Sequence, residues 1–183
     1  VSPLNVLDRG YAILQNKKFI LAADIGSNPD KIYTKDYQAG ALSFEIFSND
    51  KKLISNSGYY PDTKNRLNKL SKSTALQNTL SIEDYSSSDF IKSSNNFLIQ
   101  RDLKIEDKNI VFEKNYWKIS ASHNGYFKKF KLDHHREIEF YPEQFKFIGH
   151  DKIVRKDPDK QIKFDIRFHL HPDSKVMKTQ NSK

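Results

Sequence analysis

Residues 40–58 read GALSFEIFSNDKKLISNSG, two runs of alternating apolar and polar side chains on either side of a turn-forming group, Ser48, Asn49 and Asp50. Leu42, Phe44 and Ile46 fall on one face of an extended segment, with Ser43 and Glu45 on the other. That period of two is what a half-buried strand requires. The return run carries Leu53 and Ile54 and stops at Ser57 and Gly58. The pattern predicts a β-hairpin closed by a three- to four-residue loop.

The same habit recurs along the chain. Segments 11–14 and 19–23 form a second hairpin, and the loop that follows, 24–36, is marked by Gly26, Ser27, Asn28 and Pro29. Residues 59–72 are polar, and Arg66, Leu67 and Leu70 suit one or two helical turns there. Residues 73–82, STALQNTLSI, read as a strand of mixed pattern, and the Ser-rich 85–96 as a surface loop. Extended segments then follow closely at 97–101, 109–113, 116–122, 126–133, 137–141, 145–148 and 161–170, with Asn124 and Gly125 as a primed hairpin turn. Many short strands without a long amphipathic helix predict an all-β fold, an antiparallel multi-stranded β-sandwich of the super-sandwich type. Residues 1–183 are expected to form a single domain with a frayed tail from Lys175.

Composition narrows the functional classes. With 37% hydrophobic and 13% aromatic residues the chain is a folding one. The absence of cysteine excludes disulfides, thiolate metal sites and a cysteine nucleophile. A net charge of +8 attracts acidic polymers. The lysines are scattered rather than blocked, which weakens a nucleic-acid reading and leaves acidic polysaccharides, an anionic membrane surface or a plainly solvated Lys-rich surface open. No apolar run is long enough for a membrane span. No G-x-S-x-G, glycine-rich phosphate loop or H-E-x-x-H occurs, which leaves hydrolase, nucleotide-binding and metalloprotease readings without support. The chain opens on Val1 with no secretion signal and reads as a piece of a longer protein.

Five segments carry a resemblance. QAGALSFEI, LISNSG and STALQNTLSI, then ASHNGYFKKF with HHREIEFYP, then RFHLHP, occur in this order. They resemble the C-terminal β-domain of the heparinase II/III-like polysaccharide lyases, in the branch found in alphaproteobacteria. That family implies an N-terminal α/α toroid, absent from this chain, against which the β-domain packs, and a periplasmic location. It also implies β-elimination from a uronate: a base takes the proton beside the carboxylate while an acid assists the departing glycosidic oxygen. The family's β-domain contributes a catalytic histidine and a zinc held by His, Asp and His.

Position by position, the resemblance places Asp36 where the catalytic His stands and Gln38, Asn56 and Gln77 at the three metal positions. Zinc takes imidazole, thiolate or carboxylate, so three neutral carboxamides are expected to hold none, and no cofactor is expected. Such amides hydrogen-bond among themselves, each offering donors and acceptors. Asp36 is a weak base unless burial raises its pKa, and its charge repels a uronate. Either the toroid supplies the proton chemistry or activity is reduced or lost; a solvated loop residue is the plainer reading of Asp36. His123 is read as fixing the turn before Asn124 or facing a substrate. His169 and His171, two apart, share one face of an extended strand; such a pair can supply two metal ligands, and is otherwise read as substrate-facing or packed against Pro172.

Overall fold

The computed structural model describes residues 10–30, 33–93, 96–100, 103–155 and 161–177. The remainder of the expected tail, and parts of the segments expected at 24–36, 97–101 and 85–96, lie outside the described residues.

Two four-stranded antiparallel sheets form a sandwich. The first contains β1 (Tyr11–Gln15), β2 (Phe19–Asp24), β3 (Phe44–Ser48) and β4 (Lys51–Ile54), side by side in that order. Small pairs lie beyond it: β5 (Leu80–Ile82), which recruits a late strand, and β6 (Phe90–Ser93), which pairs with β7 (Asn96–Ile99). The second sheet contains β8 (Ile105–Phe112), β9 (Trp117–His123), β10 (Leu132–Tyr141) and β11 (Lys146–Arg155), with β11 at one edge and β8 at the other. The strand beside β5 is β12 (Phe164–Ile166). Among the described residues helix is confined to α1 (Arg66–Ser71), α2 (Phe127–Phe130) and short 3₁₀ turns. The all-β sandwich expected from the alternation is the fold observed.

Alternation puts the core between the sheets. Ala12, Leu14, Leu21, Phe44 and Ile46 from the first meet Trp117, Ile119, Ile138 and Phe140 from the second. Phe140 has no exposure and takes Phe19 and Trp117 edge-on at 4.9 and 5.1 Å. Burying one such side chain contributes about 1.5–3 kcal/mol. The inward positions of β10 are Leu132, His134, Arg136, Ile138 and Phe140, so two polar groups share a face otherwise given to the core.

Several local expectations are corrected. The hairpin of β3 and β4 has a two-residue loop, because Ser48 pairs with Lys51 and both Asn49 and Asp50 adopt positive φ. That is the twist-matched primed turn, which Asn and Asp tolerate. Leu42 is buried but sits in a turn at φ 59° before the strand begins. The segment 73–82 is a strand only at β5; a 3₁₀ turn at Thr74–Leu76 precedes it. In 85–96, Ser87 and Ser88 are buried and β6 forms, so this is no plain surface loop. Asn124 and Gly125 open α2 instead of a hairpin, through Phe127 N donating to Asn124 O. The last extended run is a strand only at β12, with Leu170 bridged to Ile54.

The helical turns expected around Arg66, Leu67 and Leu70 form as α1, with its polar face inward. Leu67 and Leu70 are exposed while Asn68 and Ser71 are buried. Asn68 Nδ2 donates to Tyr60 O at 2.6 Å, and Ser71 Oγ accepts from Tyr60 N at 3.2 Å. The polar face is buried because it satisfies the backbone entering the helix.

Candidate functional site

The site lies where segment 73–79 is strapped to segment 39–44. Thr74 Oγ1 donates to Ala39 O at 2.8 Å, Thr79 Oγ1 to Ala41 O at 3.1 Å and Asn78 Nδ2 to Phe44 O at 3.0 Å. These carbonyls precede or open β3, ahead of Ile46 where its pairing with β4 begins, and buried carbonyls need donors. Thr74, Gln77, Asn78 and Thr79 are therefore buried without belonging to a strand.

Gln38, Asn56 and Gln77 converge on this seam. Gln77, 2% exposed, donates from Nε2 to Gln38 Oε1 at 3.1 Å and to Ser71 O at 3.4 Å. Asn56 accepts at Oδ1 from Asn78 N at 2.7 Å and donates from Nδ2 to Ser43 Oγ at 3.2 Å. Gln38 and Gln77 thus bond directly, while Asn56 joins them through the backbone of the residue after Gln77. Gly40 leaves room between them: a Cβ there would lie 3.1 Å from Ser43 Oγ, 3.6 Å from Gln77 Oε1 and 3.7 Å from Asp24 Oδ2.

This donor set does not fit zinc. Its members are neutral amides already engaged with one another and with the backbone, and none is an imidazole or carboxylate. Among the described residues no group of three His, Cys, Asp or Glu side chains is placed to hold a metal.

Asp36 stands at the rim, exposed, beside Tyr59 and Lys72. Sequence reasoning passed over Lys72, which is 1% exposed. Its Nζ donates to Tyr37 O at 3.0 Å and to Lys35 O, and lies 5.1 Å from the Tyr59 ring centre. A buried cation thus clamps the carbonyls on either side of Asp36. Burial pulls its pKa down while Asp36 opposes the shift. Asp24 was also missed: burial pushes its carboxyl up to about 7, against the Gly26 N–H that donates to Oδ1 at 3.0 Å. Neither residue belongs to a motif, so only the tertiary structure marks them.

The histidines divide. His169 joins the seam, its Nδ1 lying 3.1 Å from Asn78 Oδ1. His171 turns instead to Asp173, at 3.7 Å, so the expected pair has separate partners. His123, read as substrate-facing, is buried at 2% exposure. It does fix the turn that follows, since Nδ1 accepts from Gly125 N at 3.1 Å. Its Nε2 lies 3.1 Å from His134 Nδ1, and His134 Nε2 lies 2.6 Å from Asp151 Oδ1.

These contacts fix the tautomers. His123 uses Nδ1 as an acceptor, so its proton is on Nε2 and points at His134 Nδ1. His134 then carries its proton on Nε2, toward Asp151. Burial lowers both imidazole pKa values, keeping the pair neutral. Asp151 also receives Arg136 from two sides, Nε at 2.8 Å and NH2 at 3.0 Å. Despite the cost of its burial, these partners bring the Asp151 carboxyl down to about 2.

A family model described as "Heparinase II/III-like, C-terminal" matches residues 3–183. The chain belongs to that family. Crystal structures of heparan sulfate lyase HepC from Pedobacter heparinus, wild type and a mutant, share its fold with a TM-score of 0.58 for each. Identity is 16% and 14%, and the match covers 81% of this chain but 21% of each of those chains. The chain thus corresponds to about one-fifth of their length. No curated protein matches it. Within this heparinase II/III-like domain no described helix is long and apolar enough to cross a membrane.

Proposed function

We propose that this domain is the β-portion of a polysaccharide lyase that cleaves an acidic, uronate-containing glycan by β-elimination. The carbon beside the carboxylate loses its proton to a base, the carbon–oxygen bond to the leaving sugar breaks, and that oxygen is protonated. In this reading the base and acid come from an N-terminal toroid, in a periplasmic protein. This chain's share is to shape and neutralise one wall of the cleft. The observation that carries the proposal is the match of the heparinase II/III-like C-terminal family model to residues 3–183; the Gln77–Gln38 bond, with Asn56 on the neighbouring residue, stands in the positions where the family resemblance puts a metal. The loop is closed by amides and hydroxyls, and the Lys72 ammonium beneath the rim adds positive charge without a metal.

A second reading, a non-catalytic glycan-binding domain, is favoured by one observation: exposed Asp36 occupies the position of the family's catalytic histidine. The test is to incubate the full-length parent with heparan sulfate, alginate and related polyuronates while following ultraviolet absorbance from the unsaturated uronate. Absorbance growth supports the lyase. Binding without it supports the second reading, and neither overturns both.

A further inference from the structure

Asn56 and Gln77 are placed by contacts to backbone, and that backbone is itself held from below. Arg136, 4% exposed on the inward face of β10, sends NH1 to Asn78 O at 2.7 Å and to Leu42 O at 3.1 Å. Asn78 follows Gln77 and gives its N–H to Asn56, while Leu42 follows the Gly40 turn and precedes Ser43, the other partner of Asn56. The same guanidinium is fixed by Asp151, which His134 and then His123 hold in turn. Both segments that build the amide pocket therefore end on one cation, anchored in the opposite sheet.

We infer that Arg136 is the positioning residue of the amide pocket, joining its two segments as a bound metal would join side chains from each. The inference rests on the glycan-cleft reading for its meaning, but not for its test. Only a planar guanidinium supplies this geometry: two carbonyls accept from one nitrogen while a carboxylate takes the other two. A lysine ammonium keeps the charge and cannot span all three partners. The carbonyl of Asn78 and that of Leu42 then lose a common donor, and the spacing between Gln77 and Ser43 relaxes.

The experiment compares Arg136→Lys with Ile138→Val, a core truncation on the same strand that sets a background of mild destabilisation. Side-chain amide signals of Gln38, Asn56 and Gln77, exchange of the Asn78 N–H, and affinity for a heparan sulfate oligosaccharide are read on each. With Arg136→Lys, the Asn56 and Gln77 signals move, Asn78 N–H exchange accelerates at least tenfold and glycan affinity falls about tenfold. With Ile138→Val all three stay at wild-type values. If Arg136→Lys does not fold, Asp151→Asn, which keeps the guanidinium and weakens its clamp, is read in the same way. Unchanged amide signals and Asn78 exchange, or an equal response from Ile138→Val, overturn the inference. If the wild type binds no glycan, the cleft reading fails while the amide signals still decide the role of Arg136.

Discussion

Gln77 Nε2 lies 3.1 Å from Gln38 Oε1, a side-chain bond across thirty-nine residues of sequence. It makes a neutral contact between two segments that otherwise meet only through their backbones and the side chains that strap them. Gln77→Leu removes the donor and leaves Gln38 Oε1 and Ser71 O without it. The expected loss is about 1–3 kcal/mol, the cost of stranding partly buried acceptors, measured by urea unfolding. Gln38→Ala, nearer the surface, is expected to cost less.

Asp24 gives the domain an unusual pH response. Its folded pKa of about 7 lies above the unfolded value of 3.8, so the folded state holds a proton that the unfolded state has released. Stability from this group is complete below the unfolded value and falls as pH rises toward 7, by up to roughly 4 kcal/mol. Asp24→Asn removes that slope. The variant is expected to match the wild type near pH 4 and to exceed its melting temperature at pH 8.

His123 and His134 act in the opposite sense. Their folded pKa values lie below 6.5, so the unfolded state takes up protons first. Their contribution is present above that pH and is lost on acidification. In the Asp24→Asn background the two imidazoles are exposed as a rise in stability between pH 5 and 7. Thermal unfolding across that range checks it.

The sheets were legible in the sequence because period-two alternation reports burial directly: Phe44 and Ile46, Leu14 and Ala12, Trp117 and Ile119 all fall inward. The amide positions were legible only through family motifs. What was hidden is polar burial. Residues 73–82 read as a strand of mixed pattern, because alternation cannot register side chains such as Thr74, Asn78 and Thr79 that serve buried carbonyls. Arg136 and His134 sit at inward positions of β10, yet nothing local states that Asp151, on the next strand, will accept hydrogen bonds from both.

The core makes a simpler demand. Phe140 touches Phe19, Trp117 and Phe147, the last stacked at 4.1 Å. Phe140→Ala is expected to cost about 3–5 kcal/mol and to leave the domain near its unfolding threshold, as calorimetry would record.

At the rim, Asp36 is exposed, so its removal leaves the fold intact, and its charge would oppose the proposed polyuronate ligand. Asp36→Asn is expected to raise affinity for such a glycan by about two- to fivefold at low salt, the scale of a rim charge near a charged ligand. Titration calorimetry at two ionic strengths tests both the size and its screening.

The central claim is that carboxamides, with Arg136 beneath them, hold this pocket without a metal. Zinc content measured on protein purified from zinc-supplemented medium, with melting temperature read before and after chelation, tests it most directly. No stoichiometric zinc and an unchanged melting temperature are expected, with both altered in a Gln38→His, Asn56→Asp, Gln77→His variant that supplies imidazole and carboxylate ligands. Stoichiometric zinc in the wild type, with a melting temperature that drops on chelation, would contradict it.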